Sequence, residues 1–184
     1  ELGLGSQLDV IRSDLHGSVG WRNQNFFGGL RELKLIVKPG IVLYPTRLPD
    51  FDPPTDVLPF VKVQGDLKQP GMVEARTNAF IRGEFEAYPL LLSPNVNPEA
   101  PVLGYREVRG TVGLERAFGR HLFASPSYII QTSTPFTYRG QLDPDLHPLL
   151  ISTIELFGRV DTRDNLLSPH SGFTFSSGVQ FSGL

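Results

Sequence analysis

Apolar and polar residues alternate with a period of two in seven windows of the chain, the spacing of β-strands whose two faces meet different surroundings. Leu33, Leu35 and Val37 alternate with Glu32, Lys34 and Lys38, and Val61, Val63, Gly65 and Leu67 alternate with Lys62, Gln64, Asp66 and Lys68. Ala79, Ile81, Gly83, Phe85 and Ala87 stand against Arg82, Glu84 and Glu86; Val108, Gly110, Val112 and Leu114 stand against Glu107, Arg109, Thr111 and Glu115. A fifth window, Leu122 to Thr132, sets Tyr128 and Ile130 against Ser125, Ser127 and Gln131. The sixth sets Ile154, Leu156, Gly158 and Val160 against Thr153, Glu155, Arg159 and Asp161, and the seventh sets Phe173, Phe175, Val179 and Phe181 against Thr174, Ser176 and Gln180. Two weaker windows lie around Leu2–Leu4 and around Leu15, Val19 and Trp21.

The apolar faces of the seven windows hold 31 positions, none of them charged, while the opposite faces carry charges of both signs. A soluble sandwich hides such an apolar face between two sheets, and a transmembrane barrel turns it to lipid around a polar lumen. Windows of about ten residues reach about 33 Å extended, or roughly 23 Å along the membrane normal when tilted about 45°. The connections alternate between short (Phe27-Gly28-Gly29, Gln69-Pro70-Gly71, Gly119-Arg120, Ser168 to Gly172) and long (Pro45 to Pro59, Ser93 to Pro101, Pro135 to Pro148). Short periplasmic turns and long extracellular loops give that rhythm. The pattern predicts an all-β, antiparallel transmembrane β-barrel, of which this chain supplies about nine strands.

Composition narrows the field further. Nineteen Gly and sixteen Pro in 184 residues favour short strands joined by turns over long helices. The absence of cysteine excludes a disulfide scaffold, a thiolate metal site and a cysteine nucleophile. A net charge of −2 gives no electrostatic case for nucleic acid. No apolar run approaches the ~20 residues of a membrane-spanning helix. Glu1 opens directly into an alternating pattern and the chain stops within another, so residues 1–184 are expected to be one part of a longer barrel domain.

Two stretches go beyond pattern. Gly20-Trp21-Arg22-Asn23-Gln24-Asn25-Phe26-Phe27-Gly28-Gly29, followed by Leu33-Lys34-Leu35, resembles the second strand and turn of bacterial outer-membrane assembly-factor barrels. Arg159 to Phe173, with Asp161, Arg163, Asp164, Asn165, Pro169 and Gly172, resembles the D-x-R-D-N-P-x-x-P-x-x-G hallmark of the same bacterial surface antigen family, although Leu166-Leu167 stands where that hallmark has Pro after Asn. The resemblance implies the first nine of sixteen strands, with POTRA domains before Glu1 and the remaining strands and a lumen-plugging loop after Leu184. It also implies a factor of the bacterial outer membrane that inserts client β-barrel proteins or helps to export proteins. Its partners would be outer-membrane lipid, the clients, and periplasmic or lipoprotein accessory subunits. A lateral seam between first and last strands would pair with client strands, here through Leu2, Gly3, Leu4 and Gly5; two glycines weaken such a strand. A passive porin-like channel and a soluble β-sandwich binding module are the alternatives.

The chemistry-bearing residues read as structure rather than catalysis. Asp161 to Asn165 has the oxygen ligands of a cation site, but the run is short for calcium, and a strand end entering a turn, capped by Asp164 or Asn165 and with Arg163 pairing a lumen carboxylate, is the expectation. His16, His121, His147 and His170 have no metal-ligand spacing, and Ser171, Ser176 and Ser177 lie in no G-x-S-x-G elbow. Glu84 and Glu86 share a strand face at acid/base spacing, yet nearby Arg82, Lys62 and Lys68 make a ladder of lumen charges the simpler reading, extended by Glu107, Arg109, Glu155 and Arg159. No enzyme, cofactor or metal is expected. Trp21, Phe26, Phe27, Phe118 and Phe123 are candidates for an interfacial girdle.

Overall fold

The computed structural model describes residues 2–8, 13–44, 56–90, 101–165 and 167–183. The described residues form nine strands: β1 (Leu2–Leu8), β2 (Ser13–Asn23), β3 (Glu32–Tyr44), β4 (Asp56–Gln69), β5 (Thr77–Pro89), β6 (Val102–Phe118), β7 (Leu122–Arg139), β8 (Leu149–Asp161) and β9 (Thr174–Ser182). They make one antiparallel sheet in the order of the chain, each strand beside its sequence neighbour. The sheet is not closed: among the described residues β1 pairs with β2 alone and β9 with β8 alone. All seven alternating windows and both weaker ones lie in strands, except that Phe173 at the start of the seventh precedes β9.

Two predicted loops are shorter than expected. Residues 56–59 belong to β4 and residues 135–139 to β7, because prolines that end the alternation do not end the strands. Proline has no N–H to give a ladder, so it fits where a neighbour is missing on one side. Each of the five strand prolines obeys this. Pro39 pairs with Val61, Pro59 with Ile41, Pro89 with Gly104, Pro126 with Leu156 and Pro135 with Tyr105, and none has a ladder partner on its other side. The rest of the Pro45 to Pro59 loop and nearly all of the Ser93 to Pro101 loop lie outside the described residues.

The connections after β2, β4, β6 and β8 line one end of the sheet, although the last, residues 162–173, is longer than the β7–β8 connection at the other end, and the line they make is oblique to the strands. One row of paired residues runs Asn23, Leu33, Leu67, Ile81, Val112, Tyr128, Ile154, Phe181. At β2 that row is the strand's last residue, whereas β8 runs on from Ile154 for seven more residues to Asp161. Seven residues of stagger across six strand spacings is roughly 23 Å against 29 Å, which tilts the strands about 39° from the normal to the line of turns.

The two faces differ as the alternation requires. Ile81, Val112 and Leu156 are 57%, 51% and 53% exposed on the apolar face. Across the sheet the side chains of Glu84 and Asp66 keep only 22% and 25% exposure, because long polar side chains shield one another there. Buried apolar side chains are few among the described residues: Val42, Leu58 and Val102, with Phe60 and Tyr138 packed against them. They gather at the end opposite those turns, where register sets Val42, Leu58 and Phe60 on the polar side, and among the described residues nothing covers the apolar face.

Candidate functional site

The polar face carries a ladder of charges whose partners come from neighbouring strands. Cross-strand register sets Lys62 opposite Glu86, Asp66 opposite Arg82, and Glu84 opposite Arg109. Lys62 Nζ lies 2.9 Å from Glu86 Oε2, Arg82 pairs with Asp66, and Arg109 stands 3.8 Å from Glu84 while its Nε donates to Gln131. Lys68 reaches across β5 to Glu115 at 2.6 Å. Glu107 accepts a hydrogen bond from the Tyr88 hydroxyl at 3.0 Å. Arg159 lies over the Phe123 ring, 5.5 Å from its centroid. Glu155 opens on a polar hollow of about 290 Å³ shared with Arg82, Arg109, Ser125 and Ser127, and has no ion pair among the described residues. All seven charges singled out in the sequence thus share one face, and they are largely compensated. Such an arrangement offers a wetted, nearly neutral wall.

The hallmark stretch is a turn held by its own side chains. Arg163 forks onto both carboxylate oxygens of Asp161, at 2.9 and 2.7 Å, so its partner lies two residues back along the same segment. Asp164 Oδ1 accepts from the backbone N–H groups of Asn165, His170 and Ser171, and Asn165 Oδ1 accepts from those of Leu167 and Ser168. The bonds from Ser171 and His170 hold the Asp164 carboxyl below its usual pKa range, and the Asp161 carboxylate raises that of Arg163. Thr162 and Phe173 exchange three further bonds that bring the ends of the turn together. Gly172 closes it at φ +92°, where a Cβ would stand 2.3 Å from the Thr162 carbonyl oxygen. Pro169 lies exposed in the same turn. Both carboxylates are occupied by these internal partners.

On the β1 edge, Leu2 and Leu4 are 86% and 94% exposed. Gly3 and Gly5 face the polar side, where Ser18 Oγ and the His16 ring of β2 occupy the space a Cβ would need. These glycines are therefore seats for β2 side chains as well as points of weak packing.

The aromatic residues divide between the faces. Trp21 and Phe118 stand on the apolar face, and Phe26 stacks on Phe27 within the first turn, ring centres 4.3 Å apart. Phe123 does not join a girdle: it faces the polar side, edge-on to Phe157. Sequence reasoning missed Arg106 and Arg116. These are the two charged residues that the strand register sets on the apolar face among the described residues. Arg106 lies 4.7 Å from the Phe136 ring centroid and Arg116 5.0 Å from that of Phe118. Their signal was available, since they immediately flank the uncharged β6 window.

No family model, curated protein or solved structure matches the chain. Its function is inferred from its own residues and geometry.

Proposed function

We propose that this sheet is part of the wall of a transmembrane β-barrel in the bacterial outer membrane, and that the complete protein inserts client β-barrel proteins or moves proteins across that membrane. The observation that carries the membrane reading is the apolar face: continuous over nine strands, uncovered, and free of charge between Arg106 and Arg116. Exposed apolar areas of that extent belong against another apolar phase. The strand tilt of about 39° is within the range of closed barrels. A soluble sandwich would need a second sheet over the same face.

The assembly or translocation role is supported by the two stretches that resemble outer-membrane assembly factors, and by the self-capped turn that one of them forms. In this reading no bond is made or broken. The wall separates lipid from a hydrated lumen, and the seam at the β1 edge is where an incoming strand would add by β-augmentation. Backbone recognition accepts many sequences, as a factor with varied clients requires. Outer-membrane lipid is the obligate partner, and clients and accessory subunits meet the edge and the turns.

Two experiments test the reading. The full-length protein is expected to resist extraction by buffer and alkaline carbonate and to dissolve in detergent; recovery in buffer would leave the sandwich. Depleting it is expected to lower the yield of folded outer-membrane barrels or of exported proteins. Unchanged yields together with single-channel conductance would make it a passive pore.

A further inference from the structure

We infer that Arg106 and Arg116 mark the two membrane–water boundaries on this wall, and that Arg106 takes the phosphate of a lipid headgroup. The inference rests on the barrel reading above and adds its depth in the bilayer. Both arginines belong to β6 and project on the lipid-facing side, with Val108, Gly110, Val112 and Leu114 between them. Ten residues of strand are about 33 Å, which at the observed tilt becomes about 26 Å along the barrel axis, close to the ≈ 25 Å apolar band of outer-membrane barrels.

Each arginine has the surroundings of an interfacial residue. An arginine at a boundary packs its stem and ring-stacked guanidinium on apolar surface and leaves its charge in the headgroup layer. Arg116 stacks on Phe118, and its Nη2 lies 2.7 Å from Glu74, which draws the charge toward the β4–β5 turn and away from the hydrocarbon. Arg106 stacks on Phe136 and stands directly opposite Thr134, and it has no carboxylate partner among the described residues. A bare guanidinium beside a hydroxyl, at the level where headgroups lie, is complementary to a phosphate.

A second observation draws the same line at the turn end. On β2, β4 and β5 the polar residue that ends the apolar face is Asn23, Gln69 and Thr77, each the terminal residue of its strand. These positions step along the oblique line of turns with Arg116. The boundary therefore follows the tilt of the sheet and is not confined to β6.

Residues 1–184 contain no cysteine, so single nitroxide labels can be placed in them once any cysteine elsewhere in the full-length protein is replaced. Labels at Val108, Val112 and Leu114 and at Arg106 and Arg116 in the full-length protein in phospholipid vesicles would be read by collision with oxygen and with a charged chromium(III) complex. Labels at Thr134 and Gln69 repeat the boundary measurement with both arginines in place. The oxygen-to-chromium ratio is expected to be greatest at Val112. It should be lower at Arg106, Arg116, Thr134 and Gln69 by about tenfold, because charged complexes are excluded from hydrocarbon. A crossover displaced inward to Val108 or Leu114, or ratios still high at Thr134 or Gln69, would overturn the boundary assignment while leaving the barrel intact. A low ratio at Val112 itself would remove both. For the phosphate contact, Arg106→Gln is expected to weaken retention of a spin-labelled anionic lipid severalfold, with Arg106→Lys in between; equal retention in all three proteins would overturn it.

Discussion

The ring of Tyr138 lies over Gly104, so close that a Cβ on the glycine would come within 2.6 Å of Tyr138 Cε2. From there its hydroxyl donates to the Pro59 carbonyl oxygen on β4, three strands away from β7. Among the described residues β5 stops at Pro89, short of β4, β6 and β7 at this end, and Tyr138 reaches past its end to β4. Arg139 crosses to Asp56 at 2.6 Å beside it. Gly104→Val should displace the ring and cost about 1–3 kcal/mol through overpacking. Tyr138→Phe, which loses only the hydrogen bond, should cost about 1 kcal/mol. Denaturant unfolding of the full-length barrel in detergent measures both, and a harmless Gly104→Val would show that the ring has another seat.

Gly172→Ala places a methyl against the Thr162 carbonyl at a positive φ, so it should destabilise the β8–β9 connection by about 1–3 kcal/mol. Gly178→Ala makes the comparison: its φ is ordinary and its nearest contact is 3.9 Å, so stability should hold or rise. Equal effects in the same unfolding experiment would mean that turn geometry does not matter.

Acid should loosen the turn through Asp164. Its folded-state pKa lies below the unfolded value near 3.9, so the carboxylate's contribution is complete above that value and is lost as pH falls through the lowered folded one. Amide exchange at His170 and Ser171 is expected to quicken on acidification beyond the intrinsic pH dependence, and to be fast at every pH in Asp164→Ala. Protection in Asp164→Ala equal to wild type would place the restraint elsewhere.

Face assignment predicts an asymmetry between adjacent residues. Val112→Arg and Leu156→Arg put a charge in hydrocarbon and should each cost roughly 2–4 kcal/mol near the midplane. Thr111→Arg points into the polar side and should be tolerated. Folding yields in vesicles compare them; equal losses at Val112 and Thr111 would reverse or abolish the assignment.

Connection topology is tested on intact cells. Asp143 lies in the nine-residue β7–β8 connection and Ser171 in the twelve-residue β8–β9 connection at the opposite end of the sheet. A cysteine at Asp143 should react with an impermeant maleimide and one at Ser171 should not. The reverse result would invert the barrel in the membrane.

Faces and strand number were legible because a period-two pattern states directly which side chains share a surface, and even the faint Leu2–Leu4 window pairs in full with β2. Strand ends were not, because Pro59 and Pro135 interrupt alternation while fitting where a ladder partner is missing. The roles of Asp164 and Asn165 as caps followed from residue type, whereas the partner of Arg163 depended on backbone geometry that brings Asp161 beside it. Phe123 was misplaced because its position beside a turn says nothing of its face, which register alone decides. Tyr138 over Gly104 was invisible because it depends on β5 ending early.

The most direct test of the central claim is tryptophan quenching by brominated lipid. Trp21 is the single tryptophan of residues 1–184, so Trp21→Phe, with any tryptophan outside these residues also replaced by Phe, gives a silent background for Val112→Trp and, separately, Thr111→Trp. In vesicles with bromine near the acyl-chain centre, the full-length protein should be strongly quenched at position 112 and nearly unquenched at position 111. Quenching at neither position, or equally at both, would contradict a wall with its apolar face in lipid and its polar face in water.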